Sequence, residues 1–468
     1  MTFKKVLTLR TIIATSAGLT LASSSFVAAV QVAGFLAGDS AWLAILIGGL
    51  LCLAAGLCFS ELNDVLPSAA GIRLYFGRAF GERAALTVSI LYMLVIMGVV
   101  GAESFILANI LNQAIPLVAP LVWIVIMQGL ATLMNIRGIR IAGNFQDVIT
   151  YGLMISMLIM SYLGLKKIDF ELAAPLLTGG AANLFNAVAV GVFLFVGFEW
   201  VTPLAEEVTD SRLISRGMFL AVGLLSVVYS LFTVVMAANV PREALVSSPI
   251  PHLIFARNIL GEAGVVWAVV ISLAASITTF NAGLLSVSRF FYATAREHAL
   301  PAVFSKISMR YLTPWVSILA VFVVGFTLSV IILFSGRYLV LVNMAAAAEC
   351  VVYALAGVSV LVLRKKMKDR ERHFHIPWGP VIPVFTTVVF APLAVGVFVN
   401  DPFAAVCMAV GFGVIWLYVD RVVPVLKERY RASRTPRRRS RPGIEPAPST
   451  VSGAVPASST ADNDADKV

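Results

Sequence analysis

The sequence FLFVGFEWVTP, at residues 193–203, places a glycine, an acid and a proline inside a long apolar run. Such residues interrupt a membrane helix, and an unwound turn exposes backbone groups that can bind a small polar molecule. An earlier apolar run has a similar interruption, because small hydroxyl residues crowd the sequence ASSSF at residues 22–26. The two stretches together predict two broken membrane helices.

Twelve apolar runs, these two included, are long enough to cross a membrane as helices of about 20 residues. Numbered as spans 1 to 12, they cover residues 11–36, 41–63, 84–112, 120–135, 144–165, 183–204, 216–239, 262–293, 315–335, 338–363, 381–399 and 402–424. The composition agrees, because 59% of the 468 residues are hydrophobic and only 13% are charged, whereas about a quarter are charged in soluble domains. The sequence therefore predicts an all-α integral membrane protein with 12 transmembrane helices and excludes a soluble enzyme.

Lys and Arg residues are concentrated in alternate loops between the spans. With both termini placed in the cytoplasm, 30 of the 35 Lys and Arg residues fall on the cytoplasmic side. Cytoplasmic loops carry an excess of these residues, and a wrong number of spans would destroy the alternation. The count therefore predicts a multi-pass protein of the inner (cytoplasmic) membrane with both termini in the cytoplasm. The same basic loops account for the formal net charge of +10, so no nucleic-acid partner is predicted.

The chain is predicted to comprise one membrane domain, residues 1–425, and a polar tail, residues 426–468. The tail holds three consecutive arginines, Arg437–Arg439, followed by a stretch rich in Pro, Ser, Thr and Ala. Such a composition cannot bury a core. We therefore expect the tail to be disordered on the cytoplasmic side.

The two interrupted runs are spans 1 and 6, which are five helices apart. Membrane proteins with inverted repeats place broken helices at equivalent positions of the two halves, beside a site at mid-membrane. The interval predicts that spans 1–5 and 6–10 form an inverted repeat, with spans 11 and 12 appended. The alternative is that the small residues merely allow close packing of helices.

Short motifs follow the second, sixth and eighth spans in a specific order. After span 2 come Glu61-Leu62, Pro67-Ser68-Ala69-Ala70-Gly71 and Arg78-Ala79-Phe80-Gly81. Around the end of span 6 come Gly197-Phe198-Glu199 and Ala205-Glu206-Glu207-Val208, and around the end of span 8 come Asn281, Ser288-Arg289, Ala295-Arg296 and Leu300-Pro301. In this order they resemble the motifs of the amino acid, polyamine and organocation (APC) superfamily of secondary transporters. The resemblance covers nearly the whole chain up to the tail.

This resemblance implies a leucine-transporter-like fold, in which a 5+5 inverted repeat is followed by two C-terminal helices. It also implies a permease that carries amino acids or related organic cations by alternating access, around a midplane site between spans 1 and 6. Two departures bear on the mechanism. The family's Gly-Ser-Gly-Ile-Phe is Ala22-Ser23-Ser24-Ser25-Phe26 here, and Leu153 stands where some proton-coupled relatives have an intramembrane lysine. A lysine-based proton switch is therefore not expected.

Three glutamates, Glu103, Glu199 and Glu349, lie within the predicted spans. A charge at mid-membrane costs at least ~2.5 kcal/mol, so each carboxyl is expected either to face the substrate or to be protonated or paired within the packing. Glu199 has the further alternative of capping the half-helix after the break. Phe193 either closes over a bound substrate or is a packing residue. The predicted substrate-binding residues are Ala22, Ser23, Ser24, Ser25, Glu103, Phe193, Gly197, Glu199 and Glu349.

Two more groups of polar residues bear on coupling and gating. Hydroxyl residues of span 8 could face span 1 and supply oxygen ligands for sodium: Ser272, Ser276, Thr278 and Thr279. Alternatively, these hydroxyls bond to backbone carbonyls. A coupling proton or sodium ion is therefore a candidate partner, besides the small-molecule substrate and the lipid bilayer. Residues near the cytoplasmic ends are predicted to form the salt bridges of a gate: Glu206, Glu207, Arg289 and Arg296.

No catalytic residue, metal site or cofactor is predicted. The four cysteines lie in apolar runs without a Cys-x-x-Cys pair, and the four histidines fall in loops. The chain contains no Walker loop, no Gly-x-Gly-x-x-Gly and no nucleophile elbow. ATP-driven transport and membrane hydrolysis therefore have no support in the sequence.

The buried acids also bear on the charge of the substrate. No Lys or Arg lies at the middle of any span to balance them. A basic amino acid or a polyamine would neutralise a buried acid on binding. The sequence thus favours a cationic substrate over a neutral one, with Glu103 as the main basis. A neutral amino acid exchanger is one alternative, and a non-transporting membrane sensor or receptor with the same fold is another.

Overall fold

The computed structural model describes residues 5–22, 41–114, 117–167, 184, 187–188, 191–241, 244 and 251–434. Its α-helices are α1 Leu9–Thr20, α2 Ala41–Val65, α3 Ile72–Phe80, α4 Glu82–Ala114, α5 Pro120–Arg137, α6 Ile139–Leu165, α7 Arg212–Asn239, α8 Pro251–Leu260, α9 Glu262–Arg296, α10 Trp315–Ser335, α11 Tyr338–Lys366, α12 Val381–Asn400 and α13 Pro402–Arg434. Two 3₁₀ helices span Phe198–Glu206 and Ala302–Ser305. Of the predicted site residues, Ser23, Ser24 and Ser25 lie outside the described residues.

Ten of these helices are long and apolar enough to cross a membrane: α2, α4, α5, α6, α7, α9, α10, α11, α12 and α13. They coincide with ten of the twelve predicted spans, and the two that remain are the interrupted spans 1 and 6. Within the described residues, span 1 contributes the 12-residue α1, and span 6 contributes turns and a 3₁₀ helix. The all-helical membrane fold is therefore confirmed, whereas the full set of twelve spans and the inverted repeat stay predictions.

The outer helices present apolar side chains to the lipid. Phe334 of α10, Val399 of α12 and Val414 of α13 are each more than half exposed. Soluble proteins rarely expose continuous apolar surfaces of this kind. Polar side chains such as Glu103 of α4 and Ser276 of α9 are buried in the interior instead. An apolar exterior around buried polar side chains, the opposite of the distribution in soluble proteins, is expected of a multi-pass membrane protein.

The helix α2 approaches the interrupted span 6, here called the sixth segment, very closely at Gly191. A Cβ atom on Gly48 would lie 2.7 Å from the carbonyl carbon of Gly191. Because no real side chain comes so near to a backbone, only glycine fits at this crossing. The helix α2 therefore packs directly on the backbone of this segment just before its turns begin at Leu194.

The last helix runs beyond the predicted edge of the membrane domain. The helix α13 continues to Arg434, so the predicted boundary between residues 425 and 426 lies inside it. Lys427 donates a 2.6 Å hydrogen bond to Glu82 at the start of α4, which holds this part of α13 against the other helices. The rest of the predicted disordered tail, from residue 435, lies outside the described residues.

Candidate functional site

The sixth segment is interrupted by a run of turns that ends at Gly197. The backbone N–H groups of Leu194, Phe195 and Val196 reach back three residues instead of four, with bonds of 3.3, 3.0 and 3.1 Å. The α-helical pattern is therefore lost. Gly197 then adopts a φ of +97°, a conformation that favours glycine. The 3₁₀ helix Phe198–Glu206 begins directly afterwards, so the interruption expected from the sequence is present.

The turn packs directly on the last part of α1. A Cβ atom at Gly197 would lie only 2.6 Å from Leu19 Cδ2. One turn earlier in α1, Ser16 Oγ donates a 2.8 Å hydrogen bond to the carbonyl of Phe198. The helix α1 ends at Thr20. The ends of the two interrupted segments thus lie side by side.

Two of the predicted acids, Glu199 and Glu349, meet beside this turn. Both side chains are fully buried, and the Gly197 N–H donates to Glu349 Oε1 (3.2 Å). The hydroxyl groups of Tyr92 and Tyr353 each contact both carboxyls. Neither tyrosine was predicted from the sequence. The one available signal was that Tyr353 follows Glu349 by four residues, which places both on the same face of α11.

The third acid, Glu103, lies apart from this pair. It is fully buried on α4, eleven residues after Tyr92, which corresponds to ~16 Å along a helix. Ser276 Oγ donates a 2.6 Å hydrogen bond to Glu103 Oε1. Tyr229, which interacts electrostatically with Glu103, donates to the carbonyl of Thr20 (2.8 Å). Glu103 therefore lies near the end of α1, away from Glu199 and Glu349.

Two other predicted site residues, Phe193 and Ala22, are also buried. Phe193 is the last helical residue before the turns that lead to Gly197, and Ala22 follows the end of α1. The Ala22 N–H donates to the carbonyl of Thr20 (2.8 Å). Contact of either residue with a substrate stays a prediction.

The four hydroxyl residues predicted as sodium ligands do not form one group. Thr279 Oγ1 faces α1 and donates to the carbonyl of Gly18 (3.4 Å). The other three bond elsewhere: Ser272 with His252, Ser276 with Glu103 and Thr278 with Gln146. Ser272, Ser276 and Thr279 lie on one face of α9 but are spread over about 10 Å along it, whereas Thr278 points in another direction.

An amide side chain that the sequence analysis missed lies between these hydroxyls and α1. Gln146 Nε2 lies 3.3 Å from the carbonyl oxygen of Ala14. Asn281 Nδ2 donates to Gln146 Oε1 (2.7 Å) and to the carbonyl of Ala142 (3.0 Å), which fixes the orientation of the Gln146 amide. Its NH₂ group therefore faces the carbonyl of Ala14 and the hydroxyls of Thr150 and Thr278, where a cation would need free oxygens. In the described part of the chain, no group of three His, Cys, Asp or Glu residues is placed to hold a metal ion.

Two ion pairs join α9 to the end of the 3₁₀ helix at the predicted cytoplasmic face. Arg289 Nε lies 3.0 Å from Glu207 Oε1, and the two side chains are only 0% and 2% exposed. Arg296 donates hydrogen bonds of 2.7 and 3.0 Å to Glu206. The four residues predicted for a gate are thus paired with one another.

The ionisation of Glu206 keeps the outer of these pairs together. Burial alone would raise the pKa of Glu206, but hydrogen bonds from Arg296 and from the Ala69 N–H hold it below its ordinary value. A lowered pKa stabilises the folded protein above the ordinary carboxyl value of about 4.3, and this contribution is lost as the pH falls through the lower folded-state value. The pair is therefore intact at neutral pH.

Backbone hydrogen bonds attach the N-terminal residues to one of these glutamates. The N–H groups of Val6 and Leu7 both donate to the carbonyl of Glu207, at 3.0 and 3.1 Å. Leu7 also forms a parallel bridge with Val208. Because α1 begins at Leu9, its start is joined to the segment that carries the gate glutamates.

Known proteins similar to this chain are membrane transporters. The family model for amino acid permeases matches residues 7–421. The methylthioribose transporter of Bacillus subtilis (strain 168) is 24% identical over 398 residues, which are 79% of this chain and 83% of that protein. Asc-type amino acid transporter 1 of Homo sapiens is 26% identical over 389 residues, with coverage of 79% and 72%. The cystine/glutamate transporter of Homo sapiens is 24% identical over 376 residues, with coverage of 76% and 72%.

Proposed function

Because the chain belongs to the amino acid permease family, we propose that it is a secondary transporter of amino acids or related organic cations that works by alternating access. We place it in the cytoplasmic membrane with both termini inside. The close packing of the Gly197 turn on Leu19 of α1 carries the proposal. Interrupted helices that meet at mid-membrane expose the backbone groups with which such carriers bind substrate.

The end of α1 suits the ammonium group of a substrate. The C-terminal end of a helix carries a partial negative charge. Buried Glu103 adds a carboxyl close to this end, where Tyr229 bonds to the carbonyl of Thr20. Opposite charges attract strongly where water is excluded. A protonated amine is therefore the group we expect at this position.

The ion pairs of α9 are the proposed cytoplasmic gate. In this conformation Arg289 and Arg296 hold the end of the sixth segment through Glu207 and Glu206. Release of substrate to the cytoplasm then requires both pairs to separate. Alternating access follows if the opposite side closes when the two pairs separate.

Uptake into proteoliposomes tests the proposal. We expect uptake of at least one compound in a panel of basic, neutral and acidic amino acids and polyamines, compared with liposomes without protein. Replacement of sodium by choline should leave the rate unchanged, because the Gln146 amide and the Thr150 hydroxyl both already bond to the carbonyl of Ala14. Ligand binding without uptake would instead identify a sensor or receptor. Uptake that stops without sodium would contradict the role given to Gln146.

The charge of the substrate is tested at Glu103. We propose a basic amino acid or a polyamine rather than a neutral amino acid. Glu103→Gln removes the charge but keeps a partner for Ser276, so it should raise the KM of a basic substrate about tenfold, equivalent to about 1.4 kcal/mol. The KM of any neutral substrate should change far less. Asp147→Asn, at a buried acid paired with Arg10 near the cytoplasmic face, is the matched control. An unchanged KM for basic substrates in Glu103→Gln, or a wild-type protein that carries only neutral or acidic amino acids, would contradict the proposal.

A further inference from the structure

We propose that Glu199 and Glu349 hold at least one proton between them in this conformation and release it toward the cytoplasm when the gate opens, so that transport is coupled to protons. The coupling rests on the proposed function, whereas the bound proton does not. The pair, the two tyrosines and the gate pair Glu207–Arg289 carry the argument.

The two carboxyls and the two tyrosines form a closed ring of oxygen contacts. Tyr92 Oη contacts Glu199 Oε1 and Glu349 Oε2, and Tyr353 Oη contacts Glu199 Oε2 (3.1 Å) and Glu349 Oε1. Each hydrogen bond between two oxygens needs one proton, and a tyrosine hydroxyl supplies one. The two tyrosine hydroxyls therefore supply the protons for two of the four contacts. The other two contacts need protons on the carboxyls, and without them oxygen lone pairs would face each other.

The groups around Glu199 and Glu349 determine how much charge the pair can carry. Both carboxyls are 0% exposed. The titratable groups that face them from α2, α4 and α11 are Cys52, Tyr92, Cys350 and Tyr353. No Lys, Arg or His among the described residues faces them. The Gly197 N–H is one favourable contact, to Glu349 Oε1.

Apolar rings complete the enclosure, since Phe59, Phe198 and Phe390 all pack on Tyr353. Two adjacent carboxylates in such a place repel each other without solvent to screen them. One backbone N–H on each carboxyl, that of Gly197 on Glu349 and that of Glu199 on its own side chain, does not offset two buried charges. A proton shared by the pair removes one of the charges and also supplies a missing hydrogen bond.

A narrow cleft lies between the ring and the gate pair. This cleft, lined by Ser89, Tyr92, Trp200 and Phe290, leads away from the ring, and in this conformation it is too narrow for a water molecule. Ser89 Oγ and Trp200 Nε1 have no hydrogen-bond partner among the described residues, although these residues are only 1% and 2% exposed. Phe290 directly follows the gate residue Arg289. When the gate separates, water that enters the cleft meets these two polar groups on its way to Tyr92.

The proton transfer balances without any other reactant. In the closed state a carboxylic O–H of the pair donates within the ring. When water arrives, that O–H bond breaks, the proton passes to water and the carboxylate keeps the electron pair. The two carboxylates are then hydrated, so their repulsion is screened. Protonation from the opposite side reverses the step.

Infrared spectroscopy of the lipid-reconstituted protein, without substrate, tests for the bound proton. A protonated carboxyl has a C=O stretching band that is distinct from the bands of a carboxylate and shifts in D₂O. We expect this band in the wild-type protein at neutral pH and its reduction or loss in both Glu199→Gln and Glu349→Gln. Asp147→Asn should leave it unchanged, because Asp147 is ion-paired with Arg10 (2.7 Å). A band equally strong in the wild type and in both glutamine variants would overturn the proposal.

Uptake driven by a pH gradient tests the coupling. An inward proton gradient should stimulate wild-type uptake, and the ratio of uptake with and without the gradient should fall to one in Glu349→Gln. A ratio that stays at the wild-type value in this variant would overturn the coupling. If Glu349→Gln has no uptake at all, the bound proton is tested in Tyr353→Phe, which keeps both carboxyls. The carboxyl band of this variant should be present but shifted from its wild-type position. Because the band is measured without substrate, a bound proton in a protein that transports nothing would disprove the proposed function and leave the proton site standing.

Discussion

Gly197→Leu is expected to reduce uptake to background while the protein still inserts into the membrane. At a φ of +97° any side chain is strained, by about 1–2 kcal/mol for the backbone alone. The added Cβ atom would also lie 2.6 Å from Leu19 Cδ2. The two interrupted segments therefore cannot keep their contact, and the site between them is lost. Uptake per amount of reconstituted protein is the measurement.

Gly152→Leu is the matched control for this change. Gly152 lies on α6, it is exposed to the lipid side, and a Cβ atom there would have no neighbour within 4 Å. Uptake by this variant should equal that of the wild type. Wild-type uptake by Gly197→Leu would mean that the turn is not part of the transport site.

Arg289→Gln should lower the free energy of unfolding by about 3–5 kcal/mol, because it leaves the carboxylate of Glu207 buried without its partner. The two side chains of this pair are 0% and 2% exposed. The double variant Arg289→Gln/Glu207→Gln removes both charges, so it should recover most of the loss. Thermal unfolding in detergent measures both variants.

The neighbouring pair offers a control with similar chemistry. Arg296 and Glu206 are 42% and 28% exposed, and ion pairs in contact with solvent contribute about 0–1 kcal/mol. Arg296→Gln should therefore change the unfolding temperature little. Equal effects of Arg289→Gln and Arg296→Gln would mean that burial of the inner pair does not cause the loss of stability. A double variant no more stable than Arg289→Gln would mean the same.

Length and composition were sufficient to predict the membrane helices, because a span must be apolar over its whole length whatever its neighbours are. The break at Gly197 was predictable for a related reason: a glycine, an acid and a proline disturb a helix locally. The joining of Glu199 to Glu349 was not predictable, since it depends on Tyr92, which is 107 residues away from Glu199 in the chain. Only the packing of α4 against α11 and the sixth segment brings these groups together.

The partners of the predicted sodium ligands were not predictable from the sequence either. Residue type suggested that Ser272, Ser276 and Thr278 could bind an ion, but their partners lie on helices α8, α4 and α6. Gln146 could not be identified because a single glutamine in an apolar span has many possible partners. The pairing of the four predicted gate residues was predicted correctly, since charged side chains within membrane segments tend to pair with one another.

The attachment of Val6 and Leu7 to Glu207 uses main-chain atoms only. Every amino acid except proline carries the N–H group that these bonds need. The side chains at positions 6, 7 and 207 can therefore change over evolutionary time without loss of the bonds themselves. A mutation to proline at position 6 or 7 is different, because it removes one of the two bonds outright and leaves the carbonyl of Glu207 with a single backbone donor from this segment. Selection on this junction would then act against one residue type rather than in favour of any particular one.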